Sequence, residues 1–154
     1  MSDSTLKIQP SSLKTINSMF TKIYLKDLTY QINGACIEVH KNIGPGLLEK
    51  VYHKLLQYEL TLQGIGFESE REVLVPYKGI VIDTELRYDL LVEKSIVVEL
   101  KAVEKLLPIH ETQLMTYMRL LGVAKGILIN FNVVNLYREG QKTFVNELFR
   151  DLPD

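Results

Sequence analysis

The chain has one cysteine, Cys36, and no tryptophan. A single cysteine excludes an internal disulfide and any cysteine-rich zinc site. Its place in an apolar helical pattern marks it as a small core residue rather than a nucleophile. The three histidines, His40, His53 and His110, show no HxxxH or related spacing, which removes the histidine-based zinc motifs. Excess charge of either sign is also missing: 18 Lys and Arg face 19 Asp and Glu, for a net charge of −1. With no global basic field, any polyanion must be met by a local patch. No apolar run approaches the ~20 residues of a membrane span, and the N-terminus has no apolar signal-peptide core. The expectation is a cytoplasmic protein that does not enter a membrane. Its 154 residues, 46% of them hydrophobic, suffice for one domain with a real core.

Residues 1–24 read as an N-terminal extension, partly helical or disordered: Met1–Ser12 is polar, and Leu13–Leu25 carries scattered apolar positions. A helix is expected from about Leu28 to Lys41, where Ile32, Ala35, Cys36 and Val39 follow i, i+3, i+4, i+7. Asp27 or Thr29 could cap it, and Gly44-Pro45-Gly46 breaks it. A second helix spans about Leu47 to Gln63, closed by Gly64 and Gly66. From Phe67 the period changes to 2. Glu72–Tyr77 reads as a strand turning at Lys78-Gly79, and Ile80–Glu85 as either an extension of the next strand or a bend. Strands at 86–92 and 96–102 follow. Glu104–Ile109 reads as a connector with Pro108 well placed to start a helix, and His110–Leu121 as that helix, closed by Gly122. Gly126–Phe131 is a buried strand, and Lys142–Val145 a last edge strand after a turn at Glu139-Gly140. The order α-α-β-β-β-α-β, with an extra edge strand, predicts an α/β fold: a mixed sheet flanked by helices. The crossover from 102 to 126 is long enough to return as a parallel strand.

Charges interrupt the pair of strands at 86–92 and 96–102. A turn centred on Lys94 places Asp89 opposite Glu99, and directly opposed residues project to one face. Alternation then gathers Arg87, Asp89, Glu99 and Lys101 on that face, with Leu91 and Val97 between them. Tyr88, Leu90, Val92, Val98, Leu100 and Ala102 fall on the other, as a core face. Opposed carboxylates repel, and a divalent cation between them removes the repulsion; oxygen ligands suit Mg²⁺ or Mn²⁺. Spacing alone leaves a second reading open, in which Arg87–Glu99 and Asp89–Lys101 are cross-strand ion pairs on a solvated face.

Five ordered segments carry a resemblance. Gly46-Leu47-Leu48-Glu49-Lys50-Val51-Tyr52 fits the pattern GxxExxY, with Val39-His40 and Gly44-Pro45-Gly46 just before it. Arg87-Tyr88-Asp89, Val98-Glu99-Leu100-Lys101-Ala102-Val103, Gln113-Leu114-Met115-Thr116-Tyr117 and Ile127-Leu128-Ile129-Asn130-Phe131 follow. Over about Leu25 to Phe144 the chain resembles the GxxExxY proteins, a branch of the PD-(D/E)xK nuclease superfamily. The resemblance implies a restriction-endonuclease-like core within a nuclease-like domain over 25–154. It implies Asp89 and Glu99 as metal ligands, Glu49 as a further acidic group available to the metal, and Lys101 as the cation that orients the attacking water. Gln113 and Tyr117 take the places of a glutamine and a tyrosine on the helix after the ExK strand. The sequence departs from the superfamily's name at Tyr88, which stands where that name has proline.

The expected function is therefore Mg²⁺- or Mn²⁺-dependent hydrolysis of DNA phosphodiester bonds, with DNA ahead of RNA as partner and a homodimer open. Glu49, Asp89, Glu99, Lys101 and Gln113 are the expected catalytic set; His40, Tyr52, Arg87 and Tyr117 are expected to line the site. His53 is expected at the surface and His110 at the rim. Two other readings stand beside it: a binding or assembly module with little activity, and a phosphohydrolase acting on something other than nucleic acid.

Overall fold

The structure is a computed structural model that describes residues 20–154. The expected polar N-terminal stretch and most of the segment at Leu13–Leu25 lie outside the described residues. Helix α1 runs Lys22–Ile43 and buries Leu25, Leu28, Ile32, Ala35, Cys36 and Val39, the stripe that the 3.6-residue period dictates. It starts earlier than the sequence pattern indicated. Thr21, rather than Asp27 or Thr29, is the cap, its Oγ1 accepting from the Tyr24 amide at 3.0 Å. Thr29 lies inside the helix, where its hydroxyl donates to the Leu25 carbonyl at 2.6 Å, so it serves the ladder instead of ending it. After the Gly44–Gly46 break, α2 spans Glu49–Leu62.

The strands are β1 (Phe67–Ser69), β2 (Glu72–Tyr77), β3 (Ile80–Arg87), β4 (Leu90–Val92) and β5 (Ile96–Lys101), followed by helix α3 (Pro108–Leu121) and β6 (Lys125–Asn130). A π-helical turn at Leu136–Gly140 leads into β7 (Gln141–Val145) and the short α4 (Glu147–Arg150). One sheet has the order β1-β4-β5-β6-β7, while β2 and β3 form a separate two-stranded ribbon. Within the main sheet only β5 and β6 run parallel, joined through α3; the other neighbours are antiparallel. This is the mixed sheet flanked by helices that the pattern predicted, with pieces rearranged. Phe67–Ser69, too short for a period to show, is an edge strand. Ile80–Arg87 is a full strand returning on β2 through Lys78-Gly79, whose positive φ values of 44° and 87° suit a tight hairpin turn.

The register read from Lys94 holds: Leu90 faces Val98, Leu91 faces Val97, and Val92 faces Ile96. The strand expected over 86–92 does not hold, because the chain leaves β3 at Arg87 and enters β4 only at Leu90. That break rotates Tyr88 out of the face shared by Leu90 and Val98. It packs instead with Leu91 and Val97.

Both faces of the sheet are therefore core. Leu90, Val98, Leu100 and Ile127 pack under α1 and α2 with Leu25, Ile32, Leu56 and Leu60. Leu91, Val97 and Leu128 pack under α3 with Leu114, Tyr117 and Met118. The face expected to be half solvated is covered by a helix, so its charged residues lie at the margin of a second core. Near that margin the chain is tightly threaded: a Cβ on Gly140 would come 2.6 Å from the main-chain carbonyl of Asn130, whereas one on Gly34, within α1, would meet nothing within 4 Å. Gly140→Ala should destabilise the protein by about 1–3 kcal/mol, since a backbone atom cannot yield as a flexible side chain can. Gly34→Ala should be neutral or stabilise by up to ~1 kcal/mol. Urea denaturation midpoints of the two variants would read the contrast.

Candidate active site

Asp89 sits in the break between β3 and β4, where no strand ladder holds it. Its own polar groups do so. The Asp89 amide donates to Glu99 Oε1 at 2.9 Å, and the Leu100 amide donates to Asp89 Oδ2 at 2.7 Å. Continuing the β4–β5 register by one step would pair Asp89 with Glu99. At that step the two carboxylates replace ladder carbonyls as acceptors, each taking an amide from the opposing strand's line. Hydrogen bonds to charged acceptors contribute about 1.5–3 kcal/mol each. Among the described residues, neither Arg87–Glu99 nor Asp89–Lys101 forms an ion pair; Arg87 instead reaches Glu72 at 3.7 Å.

Glu99 is only 4% exposed. Burial pushes its carboxyl well above the usual carboxylate range, and the neighbouring Asp89 carboxylate pushes it further; the Asp89 amide and the Lys101 ammonium pull the other way. Glu49, the first residue of α2, is brought to the same place. Burial raises its carboxyl, Lys101 lowers it, Asp89 raises it and His53 lowers it, so four groups from three elements meet there. Lys101 ends β5 opposite Asn130 of β6. On α3, Gln113 Nε2 donates to the Tyr117 hydroxyl at 3.1 Å. That hydroxyl is raised by burial and then by Glu99 and Asp89, which puts Tyr117 beside the acidic pair. Electrostatic influence thus links Glu49, Asp89, Glu99, Lys101 and Tyr117 across α2, the β3–β4 break, β5 and α3, and Gln113 joins them through the Tyr117 hydroxyl.

Three of the expected lining residues direct their polar groups elsewhere. His40 Nε2 lies 2.8 Å from the Val133 carbonyl and ties the end of α1 to the loop after β6. Tyr52 is fully buried and stacks on Phe131 at 4.5 Å between ring centroids. Its hydroxyl donates to the Gly44 carbonyl at 2.6 Å and accepts the Leu47 amide at 3.2 Å, bracing the loop that delivers Glu49. Arg87 Nη1 donates to the Glu70 carbonyl at 2.9 Å. His110 accepts the Leu107 amide on Nδ1 at 3.0 Å, which fastens the start of α3.

Two supporting residues escaped the sequence reading. Asn130 is 2% exposed; its Oδ1 accepts the Val103 amide at 3.1 Å and its Nδ2 donates to the Val103 carbonyl at 2.9 Å, fixing the chain just past Lys101. A lone asparagine in an otherwise apolar strand was the available signal, because buried amides need partners. His53, expected at the surface, is buried, with Nε2 3.1 Å from the Asp89 carbonyl. Its position one turn after Glu49 was the clue.

The donor set fits a hard divalent cation. Each carboxylate of the Asp89–Glu99 pair has one oxygen engaged by a main-chain amide, Glu99 Oε1 by that of Asp89 and Asp89 Oδ2 by that of Leu100. Among the described residues no three His, Cys, Asp or Glu side chains form a ready-made metal cluster, so Glu49 does not complete a three-carboxylate cage. Mg²⁺ is commonly held by one or two carboxylates while it keeps several waters, which the Asp89–Glu99 pair matches in kind and number. A cavity of about 630 Å³ lies between α3 and the β2–β3 ribbon, lined by Leu74, Pro76, Val81, Met115 and Leu120; neither Asp89 nor Glu99 lines it.

A profile of the PD-(D/E)XK nuclease superfamily matches residues 26–144, and the chain belongs to that superfamily. Its fold is that of a restriction-endonuclease-like nuclease. Searches of curated proteins and of solved structures return no match. No helix among the described residues is long and apolar enough to cross a membrane.

The raised carboxyl of Glu99 has a thermodynamic consequence. A native state that holds this proton more tightly than the unfolded chain gains stability from it below the ordinary value of 4.5, and loses that gain as pH rises through the folded value. In a metal chelator, the melting temperature should therefore decline as pH is raised above 4.5, and Glu99→Gln should flatten the decline. Thermal melts across pH for the two proteins measure it; parallel curves would remove Glu99 as the source.

Proposed function

We propose that the protein is a divalent-metal-dependent nuclease of the GxxExxY branch that hydrolyses phosphodiester bonds in DNA. The observation that supports this most is the pair of main-chain hydrogen bonds, from the Asp89 and Leu100 amides, that holds the Glu99 and Asp89 carboxylates in line with each other. Asp89 and Glu99 would hold Mg²⁺ or Mn²⁺, with Glu49 facing them from the start of α2. When bound, such an ion supplies polarisation of a phosphoryl oxygen and lowers the pKa of water.

The chain's own residues carry the rest. Lys101 lies two residues from Glu99 on the same strand face, so its ammonium can orient the attacking water and offset charge building on the phosphate. Glu49, with its carboxyl raised, is suited to exchange a proton at the margin of the site. The Gln113–Tyr117 pair offers polar groups from α3 for a phosphate oxygen or for that water. The same reading puts the protein in the cytoplasm, takes DNA ahead of RNA as substrate and leaves a homodimer open.

The test is cleavage of single-stranded, duplex and branched DNA, with RNA as control, under Mg²⁺ and Mn²⁺ titration. Asp89→Asn keeps an acceptor for the Leu100 amide while removing the charge. Lys101→Ala should slow cleavage by roughly 10²–10³-fold and Asp89→Asn by at least as much. Cleavage that persists in both variants removes these residues from the site. A wild type that neither cleaves nor binds metal points instead to a binding or assembly module, and one that hydrolyses only small phosphate esters points to a different substrate.

A further inference from the structure

We propose that His53 is a positioning residue for Asp89: its ring N–H fixes the Asp89 carbonyl and thereby sets the affinity of the Asp89–Glu99 pair for a divalent cation. This rests on the metal-site reading above.

Asp89 has no strand of its own, so its orientation depends on what grips its peptide. The carbonyl receives two donors, the Glu70 amide at 3.1 Å and His53 Nε2 at 3.1 Å. The amide of the same residue holds Glu99. A shift of the Asp89 backbone would therefore displace both carboxylates together.

The imidazole is fixed in turn. It is 7% exposed. Gln57 Nε2 lies 3.0 Å from Nδ1, and Ser69 Oγ lies 3.3 Å from Nε2. With Nδ1 accepting from the Gln57 amide, the tautomer that satisfies the network carries its proton on Nε2, facing a carbonyl that can only accept. The Glu70 carboxylate stands 3.8 Å from Nδ1 on the exposed side. His53 thus bridges α2, the Ser69 end of β1 and the β3–β4 break. It sits one helical turn after Glu49, on the same face of α2. The turn of helix that presents Glu49 is the turn that holds Asp89, so the spacing between the acidic groups is set by a single rigid element. Groups that orient a metal's ligands typically change its affinity by 10–100-fold when removed.

The experiment compares the full chain with His53→Phe, which keeps a ring without the donor, and His53→Gln, which restores an N–H. Two quantities are read at fixed pH: Mn²⁺ affinity, from the electron paramagnetic resonance signal of free Mn²⁺, and exchange of the Leu100 amide proton in metal-free protein by nuclear magnetic resonance. The Leu100 amide reports Asp89 directly, because it donates to Oδ2. His53→Phe should bind Mn²⁺ about tenfold more weakly or worse, with faster Leu100 exchange, and His53→Gln should recover most of both. If His53→Phe does not fold, Gln57→Leu leaves the ring in place without its Nδ1 partner and carries the same expectation. A folded His53→Phe with wild-type Mn²⁺ affinity, or a His53→Gln no better than it, overturns the proposal alone. A wild type that takes up no Mn²⁺ overturns the metal-site reading and this proposal together.

Discussion

The two main-chain hydrogen bonds to the acidic pair, from the Asp89 amide to Glu99 and from the Leu100 amide to Asp89, are the constraint on which the site depends. Two acidic groups face each other at the edge of a packed sheet, and each is held by a main-chain N–H from the other's line. Burial and repulsion both push the Glu99 carboxyl up, and the Asp89 amide pulls it back down. The two main-chain hydrogen bonds fix one oxygen of each carboxylate in place. The strand break at Tyr88-Asp89 makes this possible, since a continuous ladder would have taken the same amides for its own carbonyls.

The other elements serve that arrangement. The two hydrophobic clusters lock the sheet between α1 and α2 on one face and α3 on the other, so helices carrying Glu49 and Gln113 approach from opposite sides. The parallel β5–β6 pair, joined through α3, sets Lys101 beside Asn130, whose amide group then fastens the chain as it leaves the sheet. Tyr52 and His40 do comparable work at a distance. The first supports the loop before Glu49, and the second ties the end of α1 to the loop after β6. Both belong to stretches the sequence marked as notable, and both act through packing and main-chain contacts.

What the sequence disclosed follows from what each signal measures. Helices and long strands were legible because their periods reflect burial over many residues: α2, α3 and β6 lie within a few residues of their expected bounds. The β4–β5 register was legible from the turn position alone, and with it the opposition of Asp89 and Glu99. The break after Arg87 was not, since alternation runs through it without interruption and only a change of hydrogen-bonding partner marks it. The burial of His53 was hidden for a similar reason. Its place one turn after Glu49 points towards the site, but the helix pattern does not name the partner it meets, which is 36 residues away in sequence.

The β2–β3 ribbon leaves the main sheet after Ser69 and returns at Leu90, and those two residues are partners in the β1–β4 ladder. The excursion therefore begins and ends at adjacent points, like an arm hinged on a single joint. Evolution can lengthen, shorten or redecorate such an arm without shifting any strand of the scaffold. The return side of the joint is Asp89 itself, so a load applied to the arm is transmitted first to the residue whose orientation matters most. Diversification of reach and alignment of the acidic pair share one hinge.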